Sequence, residues 1–295
     1  MSGGGRIGVV GLGIMGSAIA RNLVSAGFAV TGFDIEEARN AELRRQGGDA
    51  AGSVAELAAR TDVILTSLPN PAALDATAAS LVGIQWQGRI LAELSTLKID
   101  DKQRASAILA QSGIVMLDCP LSGTGAQAAT RDLAVFASGD RDSFDCCGEI
   151  FSGFARAIHY VGAFGNGSRM KFIANLLVAI HNVASAEAMV LGMKAGLDPR
   201  QIVEVIASGA GNSRIFELRA PMMAERRYEP PTMKLGVWQK DMAIIGEFAA
   251  AMGVVTPLFT ATKPIYDATI AQGLSDRDTA AVCTILEALA GLPRE

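Results

Sequence analysis

The chain is 295 residues long, half of them hydrophobic and 19% charged, with a formal net charge of −4 and a pI near 5.4. That length has room for two cores, since a single core stops growing near roughly 250–300 residues, and the apolar content excludes a disordered chain. No run of basic residues occurs, so nothing points to nucleic acid or to an anionic membrane surface as a partner.

In chain order, short apolar runs at Ile7–Val10, Ala29–Phe33, Val63–Leu68, Ile90–Ala92 and Ile114–Leu117 read as strands buried on both faces. Between them, Ile35–Gln46, Pro71–Leu81 and Asp100–Ser112 carry helical patterning, and this alternation implies a doubly wound parallel sheet of Rossmann type. Leu133–Ser138 and Ile158–Val161 read as further strands. Past Gly162 the character changes. Ser168–Lys194 has no proline and one glycine, Gly192, so it reads as a helix spanning about 40 Å at roughly 1.5 Å per residue. It is apolar on more than one face, which implies burial by other helices or by a second subunit. Helical patterns follow at Pro199–Ser208, Ile215–Met223, Leu235–Met252, Pro257–Gln272 and Asp276–Ala290. The expected organisation is an α/β dinucleotide-binding domain over 1–165, then an all-α substrate and oligomerisation domain over 166–295, joined through the long helix.

Cys119, Cys146, Cys147 and Cys283 match no zinc spacing, so no metal is expected and the four read as free buried thiols in a reducing cytosol. The opening Met1-Ser2-Gly3-Gly4-Gly5 has no apolar stretch of signal-peptide type, and no segment reads as a charge-free membrane span. A cytoplasmic location is expected. His159 and His181 lack metal-spaced partners and read as packing or interface residues.

Gly11-Leu12-Gly13-Ile14-Met15-Gly16 follows the first strand at once and opens a helix. Gly11 permits a tight turn, Gly13 lets the backbone approach a pyrophosphate, and Gly16 allows close helix–strand packing. The helix N-terminus offers N–H groups and a positive dipole end to phosphates. Asp34 stands 18 residues after Gly16 at the end of the second strand, where its carboxylate can accept from ribose hydroxyls. That carboxylate repels an extra phosphate, and no arginine follows immediately, so NAD is expected ahead of NADP.

A hydroxy-acid dehydrogenase must also anchor a carboxylate, hold the hydroxyl carbon at the nicotinamide and move a proton. Asp118–Gly125 exposes backbone N–H groups and two hydroxyls suited to a carboxylate, though alone it reads equally as an ordinary loop. Gly162–Gly167 leads into Lys171 and Asn175, spaced i, i+4 on one helix face; from spacing alone Lys171 equally reads as reaching solvent. Lys240-Asp241, taken singly, reads as a surface charge pair.

Together these segments resemble the β-hydroxyacid dehydrogenase family, which includes 3-hydroxyisobutyrate dehydrogenase, tartronate semialdehyde reductase and L-threonate dehydrogenase. The cofactor motif resembles Gly11–Leu23, the substrate motif Asp118–Ala128, the catalytic motif Gly162–Asn175 and the late motif Lys240-Asp241, in the family's order. The resemblance implies Lys171 as general acid/base and Asn175 as the group holding substrate and orienting that lysine. It implies Ser122, Gly123 and Thr124 at the carboxylate, Ser95-Thr96 beside the nicotinamide, Leu68-Pro69 on the adenosine side, and Lys240 near both cofactor and substrate. A lysine base near neutral pH needs a lowered pKa, through desolvation or a nearby cation such as Lys240. The chain departs from the family at Thr124, where a second glycine is usual, at Arg131, where a glycine is expected, and at Cys119, where alanine is commoner; these changes bear on the substrate more than on the reaction. Gly209–Ser213 with Phe216 and Arg219 resembles the L-threonate-type members. Two competing readings are an imine reductase, in which another residue stands for the lysine, and a cofactor-binding interaction module without catalysis. The apolar helical half implies a homodimer or homotetramer.

Overall fold

A computed structural model of the chain describes residues 5–292; the expected opening over residues 1–4 lies outside them. The chain divides into two compact units, Met1–Lys171 and Phe172–Glu295.

The first unit runs β1 (Arg6–Val10), α1 (Ile14–Ser25), β2 (Ala29–Phe33), α2 (Glu37–Arg45), β3 (Asp49–Ala50), α3 (Val54–Arg60), β4 (Val63–Thr66), α4 (Pro71–Leu81), β5 (Ile90–Glu93), α5 (Ile99–Ala110) and β6 (Val115–Asp118). It continues through β7 (Leu121–Ser122), α6 (Gly125–Ala129), β8 (Ala134–Ala137), α7 (Arg141–Cys146), α8 (Gly148–Ser152) and β9 (Ala157–Tyr160), and ends in the first turns of α9 (Asn166–Lys194). The main sheet is parallel throughout, in the order β3-β2-β1-β4-β5-β6. Its order reverses between β1 and β4, the switch point at which open α/β sheets bind ligands outside the carboxyl ends of the strands.

The continuous apolar runs have the expected cause. Ile7, Val9, Leu65, Ala92 and Leu117 enter one core with α1 and Phe151, whereas Val10, Ile64, Leu91 and Met116 enter another with α3, α4 and α5. Successive residues of one strand therefore bury on opposite faces, which requires apolar side chains at both parities. Helix starts are marked by side chains that satisfy early N–H groups: Ser53 accepts from Glu56 N, and Asn70 from Ala73 N ahead of Pro71.

The further strands do not extend the main sheet. β7, β8 and β9 form a second one, with β7 antiparallel to β8 and β8 parallel to β9. A reciprocal backbone pair between Asp118 and Ser138 joins it to the end of β6.

The second unit holds the rest of α9, then α10 (Pro199–Ala207), α11 (Arg214–Ala224), α12 (Leu235–Ala251), α13 (Pro257–Ala271) and α14 (Val282–Leu289), with no strand among its described residues. The helix expected over Asp276–Ala290 is shorter, because Asp278 accepts from Ala280 N and starts a 3₁₀ turn, Thr279–Ala281, before α14. α9 is long and apolar enough, by length and composition, to cross a membrane. It also carries Lys171, Asn175, Asn182 and Ser185 buried along its length, and Asn182 Nδ2 donates to the Tyr266 hydroxyl at 3.0 Å and the Thr279 carbonyl at 2.9 Å. All four cysteines are free thiols. Cys146 is exposed, against the expectation that all four are buried; the others are buried, and burial pushes the Cys147 thiol up to about 12.

Candidate active site

The first unit collects its candidate residues along the carboxyl edge of the main sheet. Gly11 follows β1 with φ +87°, and its N–H donates to the Phe33 carbonyl. A side chain on Gly11 would collide with the Ser67 carbonyl oxygen, and one on Gly16 with the Gly11 carbonyl oxygen. At Gly13 the nearest atom to an added Cβ is Arg39 Nη1, at 3.9 Å. Gly11 and Gly16 thus close the loop against β4, while Gly13 faces open space at the N-terminus of α1, which no side chain caps. Ile14, the first residue of α1, is 71% exposed, and Met15 is half-buried. An uncapped helix N-terminus behind a bare glycine fits a pyrophosphate.

Asp34 is buried, with Oδ2 accepting from Leu12 N at 2.7 Å and Oδ1 from Glu36 N at 2.9 Å. Asn40 holds its backbone on both sides, at 2.9 and 2.8 Å. No arginine follows Asp34 immediately, yet one turn of α2 brings Arg39 Nη1 to 3.2 Å from Asp34 Oδ2. Arg39 also reaches Glu36 at 2.9 Å, so its charge is already shared between two carboxylates.

Leu68 and the exposed Pro69 follow β4, and Ser95 and Thr96 follow β5. Leu68 N donates to Ser95 Oγ at 2.7 Å, which stitches the two loops together. Ser95 N donates in turn to Glu93 Oε1 at 2.9 Å.

Ser122 ends β7 and is half-buried, followed by Gly123 at φ +133°. Thr124 is the N-cap residue of α6, and its N–H donates to Gln127 Oε1 at 3.1 Å. Arg131, at the other departure, keeps the left-handed backbone with φ 60° and donates to the Asn22 carbonyl at 3.3 Å. Cys119 is fully buried, its thiol pushed well above the ordinary range chiefly by desolvation, with the Asp118 charge adding to it. These three departures therefore serve a helix cap, a turn and the core.

Lys171 is 7% exposed, so it does not reach solvent. It lies one turn after Ser168, whose N and Oγ both donate to Asp118 at 2.8 Å. Within the second unit, Asn175 is 4% exposed and its Nδ2 donates to Asp241 Oδ2 at 2.9 Å. Lys240 Nζ stands 3.6 Å from Asp241 Oδ1. The charge pair is thus tied to Asn175 through Asp241, a residue sequence reasoning left out of the site although it stood next to Lys240. Phe216 and Arg219, which resemble L-threonate-type members, are buried; Arg219 Nε stands 3.4 Å from Asp278 Oδ1, and Ser213 caps α11 through Phe216 N.

The chain was compared with known proteins. Residues 6–162 match the family described as the NAD binding domain of 6-phosphogluconate dehydrogenase. Residues 165–286 match the one described as the NAD-binding of NADP-dependent 3-hydroxyisobutyrate dehydrogenase. The L-threonate dehydrogenase of Cupriavidus necator is 31% identical over 95% of this chain and 95% of its own length. The chloroplastic glyoxylate/succinic semialdehyde reductase 2 of Arabidopsis thaliana is 30% identical over 96% of this chain and 79% of its own. The crystal structure of 3-hydroxyisobutyrate dehydrogenase from Salmonella typhimurium has a TM-score of 0.85 at 29% identity, covering 95% of this chain and 99% of that one. With one of the two family matches spanning more than half its length and the other most of the rest, the chain belongs to the β-hydroxyacid dehydrogenase family.

Proposed function

We propose that the protein oxidises a small β-hydroxy acid with NAD, and reduces the matching semialdehyde with NADH, using Lys171 as general acid/base. The observation that carries the reading is a lysine buried on α9 one turn past the Ser168–Asp118 anchor, in a unit that also holds a dinucleotide cradle. A lysine buried in the same unit as such a cradle is a group for proton transfer more than for solubility.

Gly11 to Gly16 would hold the pyrophosphate, Asp34 the ribose hydroxyls, Leu68-Pro69 the adenosine side and Ser95-Thr96 the nicotinamide side. Bound there, NAD supplies the acceptor for the hydride lost from the hydroxyl carbon. The chain's own work is then to anchor, orient and move a proton. The N–H groups and hydroxyls of Ser122, Gly123 and Thr124 would take the substrate carboxylate. The Nδ2 of Asn175 is occupied by Asp241, so its Oδ1 is the end that would orient the Lys171 ammonium. Lys171 takes the hydroxyl proton during oxidation and returns it during reduction. Lys240, held by Asp241, would complete the positive surroundings of the carboxylate. The relatives matched along the whole chain are named as dehydrogenases and reductases, and Lys171 is present, so an imine reductase and a non-catalytic module are not favoured. A cytoplasmic location and a homodimer or homotetramer complete the proposal.

The test is a panel of L-threonate, 3-hydroxyisobutyrate, glycerate and 3-hydroxypropionate with NAD, followed by absorbance of the reduced cofactor. L-threonate stands first because the Cupriavidus relative is named for it. Lys171→Ala should lower kcat by at least a thousandfold on the acid that turns over, with NAD affinity by calorimetry within threefold of the parent. Retained turnover in that variant would refute the assignment.

A further inference from the structure

Three fully buried charged side chains sit together where β5, β6 and α5 meet. Lys102 Nζ lies 2.6 Å from Glu93 Oε2 and 2.8 Å from Asp118 Oδ1, and all three side chains are 0% exposed. One lysine thus pairs with two carboxyl groups inside the unit. Such a cluster is a poor stability device, because replacing buried ion pairs by apolar residues of similar volume is often neutral or stabilising. Its hydrogen bonds show a different use.

Glu93 spends its other oxygen on Ser95 N, and Ser95 Oγ receives Leu68 N. Asp118 spends both oxygens on the start of α9: Oδ2 accepts from Ser168 N and Ser138 Oγ, and Oδ1 from Ser168 Oγ. Ser138 Oγ also accepts from Gly167 N at 2.9 Å. Asp118 is itself three residues before Leu121-Ser122, the strand that leads into the carboxylate loop. The loops at Leu68 and Ser95 and the first turn of α9 therefore hang from one of two carboxylates, and Lys102 is the group that pairs with both. Burial opposes the Lys102 ammonium, but the charges of Asp118 and Glu93 outweigh it and hold its pKa above the ordinary lysine value. Lys102 thus stays charged across the working pH range.

We propose that Lys102 is a positioning residue: through Glu93 and Asp118 it sets the nicotinamide-side loop at Ser95 and the first turn of α9, which carries Lys171, relative to each other. The proposal rests on the dehydrogenase reading for the word reaction, but its geometric content stands apart from it. The glycine loop and Asp34 follow β1 and β2, neither of which supplies a residue to the cluster, so dinucleotide affinity should fall less than turnover when the cluster is loosened.

The experiment compares the full chain with Lys102→Met. Expected are a kcat reduced at least tenfold, an NAD Kd raised by a smaller factor than kcat falls, and faster amide hydrogen exchange confined to peptides covering 93–96 and 166–171. An unchanged kcat with unchanged exchange would overturn the proposal, and so would faster exchange across the whole first unit with kcat and NAD affinity falling together, the pattern of a merely structural lysine. Should Lys102→Met not accumulate folded, Ser168→Ala removes one strand of the anchor and leaves all three charges. It should lower kcat at least threefold and loosen 166–171 alone; parental kcat and exchange would overturn the proposal. Exchange and NAD titration need no substrate, so a parent silent on every acid would count against the dehydrogenase reading while the exchange pattern still decided the role of Lys102.

Discussion

Asp34 does two jobs with one carboxylate. It fixes the glycine loop through Leu12 N, and it pairs with Arg39. Arg39 is partly exposed and lies 3.9 Å from where a side chain on Gly13 would begin, so it stands beside the loop proposed to hold the pyrophosphate. Asp34→Asn keeps a carbonyl oxygen for one N–H but removes the charge, which both lifts the repulsion and releases Arg39. The ratio of kcat/KM for NADP to that for NAD should rise at least tenfold, measured as initial rates with the two cofactors; an unchanged ratio would mean that Asp34 does not face the ribose. Asp34 was legible in the sequence because its place is fixed by the end of a strand. Arg39 was not, because its approach depends on the first turn of α2 folding back across five residues. The local roles of Thr124 and Arg131 were not legible for a related reason. A sequence pattern shows that a glycine is missing, but not that the replacement caps a helix or accepts a left-handed backbone at a cost of about 1 kcal/mol.

At the scale of elements, the start of α9 is a tight joint of the first unit. A Cβ on Gly167 would collide with the carbonyl oxygens of Phe136 and Asp118, both in backbone that the second sheet holds in place. Neither oxygen belongs to a flexible side chain, so the helix itself must move. Gly167→Ala should cost about 1–3 kcal/mol, as overpacking typically does. At roughly 2–4 °C per kcal/mol for a chain of this size, Tm should fall by several degrees, with kcat falling further than NAD affinity. A parental Tm and kcat would show that the turn has slack. The long helices were legible to within about two residues because eleven or more residues give the 3.6-residue period room to repeat. The short ones, α3, α6, α7 and α8, and the two-residue strands β3 and β7, carry no period to read. Their existence comes from caps and pairing instead, and β7 in particular forms inside what reads as a substrate loop.

For the whole molecule, the decisive feature is where apolar surface remains uncovered. Of the fifteen large hydrophobic residues exposed among the described ones, eleven belong to the second unit, including Ile173, Leu177 and Leu191 on α9. Ile173 and Leu191 are 18 residues apart, five turns at roughly 3.6 residues each, so they share a face with Leu177 between them. Single exposed leucines are ordinary, but three large apolar residues on one side of a 29-residue helix form a stripe, the surface that the proposed oligomer would bury. The stripe lies on the helix that also carries Lys171 and Asn175 on its buried side, so packing it against a second copy would stiffen the element that bears the base. Light scattering should give a mass two or four times that of the 30.7 kDa chain. Leu177→Lys places a charge in the middle of the stripe, where an unpaired buried cation is strongly unfavourable. It should lower the mass to that of one chain while leaving the helical circular dichroism intact. A parent that already scatters as a single chain would remove the oligomer and leave the stripe without a function.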